Sequence, residues 1–114
     1  MSQTLVAGRP KRVSPQFASI AATATGQTTL VAAQISPNRI IRVKQYAYLV
    51  GAAVNVKFQS ASTNLTGAQE HDAKGSGITS EHMDGVFETV AGEALNINLS
   101  GNVNVSGSIQ YEVI

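Results

Sequence analysis

The sequence predicts an all-β domain in which antiparallel strands form a sandwich or a barrel. Apolar and polar residues alternate along most of the chain after residue 26, and this period of two is typical of strands that bury one face. Glycine and β-branched residues recur too often for long helices, and no stretch has apolar residues at helical spacing. About eight short strands, separated by turn residues at intervals of about 8–12 positions, complete the pattern.

The clearest alternating segments cover residues 41–49, 54–58, 95–99 and 103–113, and shorter strands are expected at 16–22, 28–32, 76–79 and 85–89. Gly51 separates the first two segments, and the short Gly-Ala link between them predicts a hairpin. Gly107 interrupts the last segment and indicates a bend or a bulge there. In the first segment, strict alternation places Arg42, Lys44, Tyr46 and Tyr48 on one face of the strand.

Residues 1–26 are interpreted as an extended N-terminal arm, and residues 27–114 as the β-sandwich domain. Pro10 and Pro15 forbid a continuous helix or a central strand in the arm. The arm also holds a basic cluster, Arg9, Lys11 and Arg12, which suits an acidic protein surface or nucleic acid. A disordered tail is the alternative interpretation of this segment.

The composition indicates a folded domain that needs partners. Hydrophobic residues make up 43% of the 114 positions, whereas charged residues make up only 13%, about half the usual share. A small domain with so few charges covers itself with neutral polar groups or with other subunits. No apolar run approaches the roughly 20 residues of a membrane helix, and no signal peptide is expected. The absence of cysteine excludes disulfides and thiol catalysis.

Charge is unevenly distributed along the chain. Residues 1–60 hold seven cationic and no acidic side chains, whereas residues 61–114 hold one cationic and seven acidic ones. Such asymmetry favours docking between unlike surfaces of neighbouring copies, or onto an acidic partner. The alternative is that strands from both halves interleave, so that the charges mix in space.

Two clusters contain potential metal ligands, Glu70-His71-Asp72 and Glu81-His82 with Asp84. Neither has the spacing of a known metal site, so both are interpreted as solvated loop residues. No serine, threonine or histidine lies in a catalytic motif. We therefore expect a protein that is not an enzyme and has no cofactor or metal.

Two cations and two aromatic rings at alternate positions, Arg42, Lys44, Tyr46 and Tyr48, form the strongest candidate binding surface. Small β-barrels bind single-stranded nucleic acid with this combination, because bases stack on the rings and phosphates pair with the cations. Tyrosines are also enriched at contacts between subunits. The sequence favours the subunit contact, because a single strand carries the pattern.

Several segments resemble small structural proteins of tailed bacteriophages: DGVFET at 84–89, AGEALNINLS at 91–100 and VNVSG at 103–107, together with residues 29–33, 39–43 and 54–60. The resemblance covers about residues 27–114. It implies a jelly-roll-like antiparallel β-sandwich and a homotrimeric capsid decoration (cement) protein that binds the major capsid protein. Such a protein is made in the cytoplasm of the bacterial host and lies on the capsid surface of the virion.

On this interpretation Arg9, Lys11 and Arg12 contact the shell, and no membrane or nucleic acid takes part. The expected subunit-contact residues are Arg42, Lys44, Tyr46 and Tyr48. The alternatives are a β-barrel that binds single-stranded nucleic acid, and another phage part such as a head fibre or a tail adaptor.

Overall fold

The computed structural model describes residues 15–114, and these residues form ten strands and no helix. The strands are β1 (Gln16–Ala22), β2 (Gly26–Val31), β3 (Ile41–Val50), β4 (Val54–Ser60), β5 (Thr63–Asn64), β6 (Gln69–His71), β7 (Gly77–Glu81), β8 (Phe87–Glu88), β9 (Leu95–Leu99) and β10 (Val105–Val113). Sheet 1 has the order β1-β10-β3-β7, with β8 also paired to β3. Sheet 2 has the order β2-β9-β4-β5, with β6 also paired to β4. Every pairing is antiparallel.

The two sheets pack together as a β-sandwich, which confirms the predicted fold class. Their inward faces supply a single core of buried apolar side chains: Ile20, Ala22, Val31, Ile41, Val43, Tyr46, Tyr48, Val50, Val54, Val56, Phe58, Leu95, Ile97, Leu99, Val105, Ile109 and Tyr111. Alternation along each strand sends the intervening side chains to the outer faces. The period of two in the sequence is therefore the period of this core.

The link around Gly51 crosses from one sheet to the other, so the predicted hairpin is wrong. β3 lies in sheet 1 and β4 in sheet 2, and the two strands are not paired. The Gly51 amide donates instead to the Asn104 carbonyl at 2.7 Å, beside the link that joins β9 to β10. A local pattern marks a strand and a turn, but it does not identify the pairing partner of the strand.

A β-bulge in β3 reverses the alternation halfway along the strand. Gln110 of β10 is opposite Gln45, whereas the next residue, Tyr111, is opposite Val43. Lys44 is therefore an extra residue without a partner on β10. Before the bulge the odd-numbered residues of β3 are buried, and after it Tyr46, Tyr48 and Val50 are buried instead.

The sandwich begins within the segment that the sequence assigned to the arm. All seven residues of β1 pair with β10, from Gln16 opposite Tyr111 to Ala22 opposite Val105. The short strand expected at residues 16–22 is thus present, as one edge of sheet 1. Residues 1–14, with Arg9, Lys11 and Arg12, lie outside the described residues.

Candidate interaction surface

The outer face of sheet 1 contains an uncharged surface that we call the neutral face. It consists of two rows of residues that lie side by side across four strands: Ser19, Ser108, Ala47 and Thr79 in one row, and Ala21, Ser106, Leu49 and Gly77 in the other. These residues are exposed, except for the half-buried Ala47. A flat surface of small neutral side chains suits contact with another protein, because little charge has to be desolvated.

An open groove of about 580 Å³ runs over the neutral face between β10 and β7. Leu49 is 55% exposed, and its side chain leans over Gly77. Leu49 Cδ2 lies only 2.5 Å from the position that a Cβ on Gly77 would occupy. The lining of the groove carries no charged residue. The groove thus offers apolar and hydroxyl contacts, and its one titratable lining residue, Tyr48, turns its hydroxyl toward Gln69 and His71.

The other end of the same sheet carries charges, and these pair within the molecule. Arg42 Nε lies 3.1 Å from Glu88 Oε1, and Lys44 Nζ lies 3.5 Å from Glu112 Oε1. The Lys44 ammonium also donates to the Met83 carbonyl. Both ion pairs join a cation from the first half of the chain to an acid from the second half. The charge asymmetry along the sequence is therefore partly cancelled in space, because strands from the two halves interleave.

The four residues of the predicted cation and tyrosine face do not come together, so that prediction is wrong. Arg42 and Lys44 lie on the outer face, whereas Tyr46 is 4% exposed and Tyr48 is 2% exposed in the core. The bulge at Lys44 is the cause, since it turns the following residues to the opposite face. The tyrosine rings are thus unavailable both to stack on bases and to touch a second chain.

Tyr46 and Tyr48 belong to an aromatic cluster that joins the two sheets. Tyr46 packs on Phe58 of sheet 2 at 4.8 Å between ring centroids and on Phe87 at 5.7 Å. Phe58 and Phe87 are 5.2 Å apart, and Tyr48 meets the His71 ring edge-on at 5.3 Å. Aromatic pairs at these distances add to the stabilisation that comes from burial alone.

A polar network inside this cluster satisfies both tyrosine hydroxyls. The Tyr48 hydroxyl donates to Gln69 Oε1 at 2.6 Å, and Gln69 Nε2 donates to the Tyr46 hydroxyl at 2.9 Å. His71 Nε2 lies 2.8 Å from the Tyr48 oxygen. The single Tyr48 proton goes to Gln69, so His71 Nε2 carries a proton and donates. Burial, together with the neighbouring Tyr46, raises the pKa of Tyr48 above its ordinary value.

His71 is therefore a core residue, and its interpretation as a solvated loop residue is wrong. It is 6% exposed and lies at the end of β6, opposite Val54. The other histidine, His82, accepts a hydrogen bond from the Asp84 amide at its Nδ1 atom, at 3.2 Å. Within residues 15–114, no three histidine or carboxylate side chains are grouped closely enough to hold a metal ion.

The outer face of sheet 2 carries two charged residues, Lys57 and Glu70, and amide side chains that bond to one another cover much of the rest. Gln27 Nε2 donates to Gln59 Oε1 at 2.8 Å, and Gln59 Nε2 donates to Asn64 Oδ1 at 2.8 Å. Asn96 Nδ2 donates to the Ala61 carbonyl at 2.8 Å. Because most of these amide groups already have partners and the face also carries charges, the neutral face of sheet 1 is the better candidate for contact with another protein.

Two further findings concern the chain rather than this surface. The part of the chain that the structure describes has no helix long and apolar enough to cross a membrane. A comparison of the whole chain with protein-family models, curated proteins and solved structures finds no match.

Proposed function

We propose that this chain is a structural protein of a bacteriophage virion, a trimeric capsid decoration protein that binds the assembled head and stabilises its shell. Two supports favour this proposal. One is the resemblance of residues 27–114 to small structural proteins of tailed phages. The other is an antiparallel β-sandwich that has the neutral face on the outer side of sheet 1. The protein would act by binding and would carry out no reaction.

The neutral face is the observation that carries the proposal. Its eight residues form two rows that mix apolar side chains, from alanine and leucine, with hydroxyl groups. Burial of such apolar area against a partner stabilises the complex by about 25 cal/mol per Å². Each copy on a head shell needs only a weak contact of this kind. Many copies on one lattice bind much more strongly than a single copy in solution, because each bound copy holds its linked neighbours near their own sites.

The N-terminal basic cluster is proposed as a second contact with the shell. Residues 1–14 hold three cations and no acid, whereas residues 15–114 hold five cations and seven acids, a net charge of −2. The cations Arg9, Lys11 and Arg12 suit an acidic patch on the major capsid protein. These three residues lie outside the described residues, so this contact is proposed from charge alone.

Electron microscopy of intact phage particles that carry a tagged copy of the chain tests the proposal. We expect the tag on the outer surface of the head. A tag on a fibre or on the tail would replace the head assignment with one of the alternative virion roles. Mature particles that contain none of the chain would overturn the proposal.

A pair of lysine variants tests the neutral face itself. Ser108→Lys places a charge in the middle of this face, and Thr29→Lys places the same charge at an exposed position on the outer face of sheet 2. We expect Ser108→Lys to bind heads that lack the protein about tenfold more weakly, about 1.4 kcal/mol, whereas Thr29→Lys binds as the unaltered chain does. Equal binding by both variants would show that the neutral face takes no part.

A further inference from the structure

We infer that the outer side of β1 is a self-association site, where β1 of a second copy pairs with it in antiparallel orientation across a two-fold axis. The inference goes beyond the proposed function, because it rests on the strands alone and would hold for this sandwich in any setting. It is carried by the contrast between β1 and the other edge strands, and by the residue sequence of β1.

The other strands at the edges of the described sheets carry features that protect against pairing with another chain. Three of them are very short, since β5 and β8 have two residues each and β6 has three. β7 has five residues and ends at Glu81. β2 has an irregular register against β9 between Thr29 and Val31. Short length, charge and bulges are the usual means by which sheet edges avoid association.

β1 has none of these protective features. Its seven residues, QFASIAA, include no charge and no proline, and they pair with β10 without a shift in register. No strand among residues 15–114 pairs with its outer side. Phe17 is 72% exposed on the outer face of this strand. A regular, uncharged edge of this length is a template for a further strand.

The sequence of β1 is complementary to itself in one register. In an antiparallel pair, two residues directly opposite each other point to the same face of the sheet, so an outward-facing residue of β1 must lie opposite another outward-facing residue. The outward-facing residues of β1 are odd-numbered, so the numbers of two opposite residues have an even sum. The two-fold axis therefore lies at one residue, which is opposite its own copy. An axis at Ser19 uses all seven residues of the strand. It places Phe17 opposite Ala21 of the second copy on the outer face, and Ile20 opposite Ala18 on the inner face. Each large side chain thus meets a small one, which packs without voids.

The contact reaches about the lower size limit of a biological interface. A seven-residue strand is about 24 Å long, and two packed sheets with their side chains are about 20 Å thick, which gives roughly 1,000 Å² over both partners. β2, the edge of sheet 2 on the same side, is also uncharged. The pairing joins the two neutral faces into one continuous surface.

Single cysteine variants test the pairing, because the chain has no cysteine of its own. In the Ser19→Cys variant the two cysteine α-carbons lie about 5 Å apart across the axis, within the range of a disulfide. Ala21→Cys is the matched control, on the same strand and face. Its two α-carbons lie about 14 Å apart, which is too far for a disulfide. A mixture of Phe17→Cys and Ala21→Cys chains tests the register, because residues 17 and 21 are opposite each other.

We expect mild oxidation to link most Ser19→Cys chains in pairs, to leave Ala21→Cys chains unlinked, and to link Phe17→Cys to Ala21→Cys in the mixture. Ser19→Lys places like charges at the axis, and we expect it to weaken self-association at least about tenfold. Unoxidised chains should contain an even number of copies, which is six where the proposed trimer also forms, because a two-fold contact doubles any other assembly.

An unlinked Ser19→Cys variant, or an odd number of chains in solution, would overturn the pairing. A monomeric Ser19→Cys chain whose thiol resists thiol reagents would show that the chain itself covers β1. Neither outcome affects the proposed function, which fails only if the protein is absent from virions. A trimer that decorates heads but does not cross-link at residue 19 would support the function and contradict the pairing.

Discussion

Lys44 and Tyr46 are two residues apart on β3, yet their side chains lie on opposite faces of sheet 1. The Lys44 ammonium pairs with Glu112 at 3.5 Å on the outer face, whereas the Tyr46 ring packs on Phe58 at 4.8 Å between the sheets. The β-bulge at Lys44 separates them. Its consequence is that β3 anchors the sandwich with its tyrosines and presents neutral residues, Ala47 and Leu49, to the outside.

This arrangement predicts very different costs for two alanine variants. Lys44→Ala removes a partly exposed ion pair and should change the free energy of unfolding by less than about 1 kcal/mol. Tyr46→Ala leaves a cavity in the aromatic cluster and should cost about 3–5 kcal/mol. Urea denaturation of both variants measures the difference. Similar small costs would show that the Tyr46 ring is not part of the core.

The Tyr48 hydroxyl should stabilise the core through its two hydrogen bonds. Tyr48→Phe leaves Gln69 Oε1 and the His71 Nε2 proton without their partner, at an expected cost of about 1–3 kcal/mol in unfolding free energy. Tyr111→Phe is the control, because that hydroxyl makes one longer bond, to Gln16 Oε1 at 3.2 Å. We expect a cost below about 1 kcal/mol there. A larger cost for the control would contradict the network.

The buried Tyr48 hydroxyl should also make stability depend on alkaline pH. Burial raises the pKa of Tyr48 above its unfolded value of about 10, so the folded chain keeps a proton that the unfolded chain loses. The contribution is fully present below pH 10 and is lost as the pH rises further. The linkage slope for one proton is about 1.4 kcal/mol per pH unit.

Denaturation curves between about pH 9 and pH 12 measure this effect. The unaltered chain should lose stability more steeply above pH 10 than Tyr48→Phe does, whatever the difference between the two at neutral pH. Parallel curves would mean that Tyr48 ionises equally well in the folded and unfolded states.

Gly107 is required where β10 passes β3. A Cβ at this position would overlap the Ala47 carbonyl oxygen and lie 2.7 Å from Tyr48 Cα, so Gly107→Ala must displace the backbone of one strand. We expect a loss of about 1–3 kcal/mol in unfolding free energy. Gly101→Ala, where the added Cβ meets nothing within 4 Å, should change stability by less than about 0.5 kcal/mol. Thermal unfolding of both variants provides the comparison.

The strands themselves were predictable because they follow from a local period of two. The expected strand at 95–99 coincides with β9, and those at 76–79 and 85–89 overlap β7 and β8. The bend or bulge predicted at Gly107 is not found at that residue. Gly107 allows close contact with β3, and the register shift lies farther along, between Gln110 and Tyr111.

The candidate site was harder to predict, because it depends on long-range pairing. Nothing in the local pattern marks Lys44 as the extra residue of a bulge, since the extra residue is defined by its lack of a partner on β10, more than 60 positions away. His71 lies in a three-residue strand, too short to show a period. One signal was available: Gln45 interrupts an otherwise apolar row, and the bulge turns this residue outward.

The number of chains in the native particle, measured by sedimentation equilibrium over a wide range of concentration, tests the central claim most directly. The claim is that the uncharged surfaces of this sandwich serve contact between proteins. We predict an assembly of several copies at micromolar concentration, which Ser19→Lys shifts toward fewer chains and Thr29→Lys does not. A chain that remains a monomer at the highest concentration, with both variants behaving alike, would contradict the account.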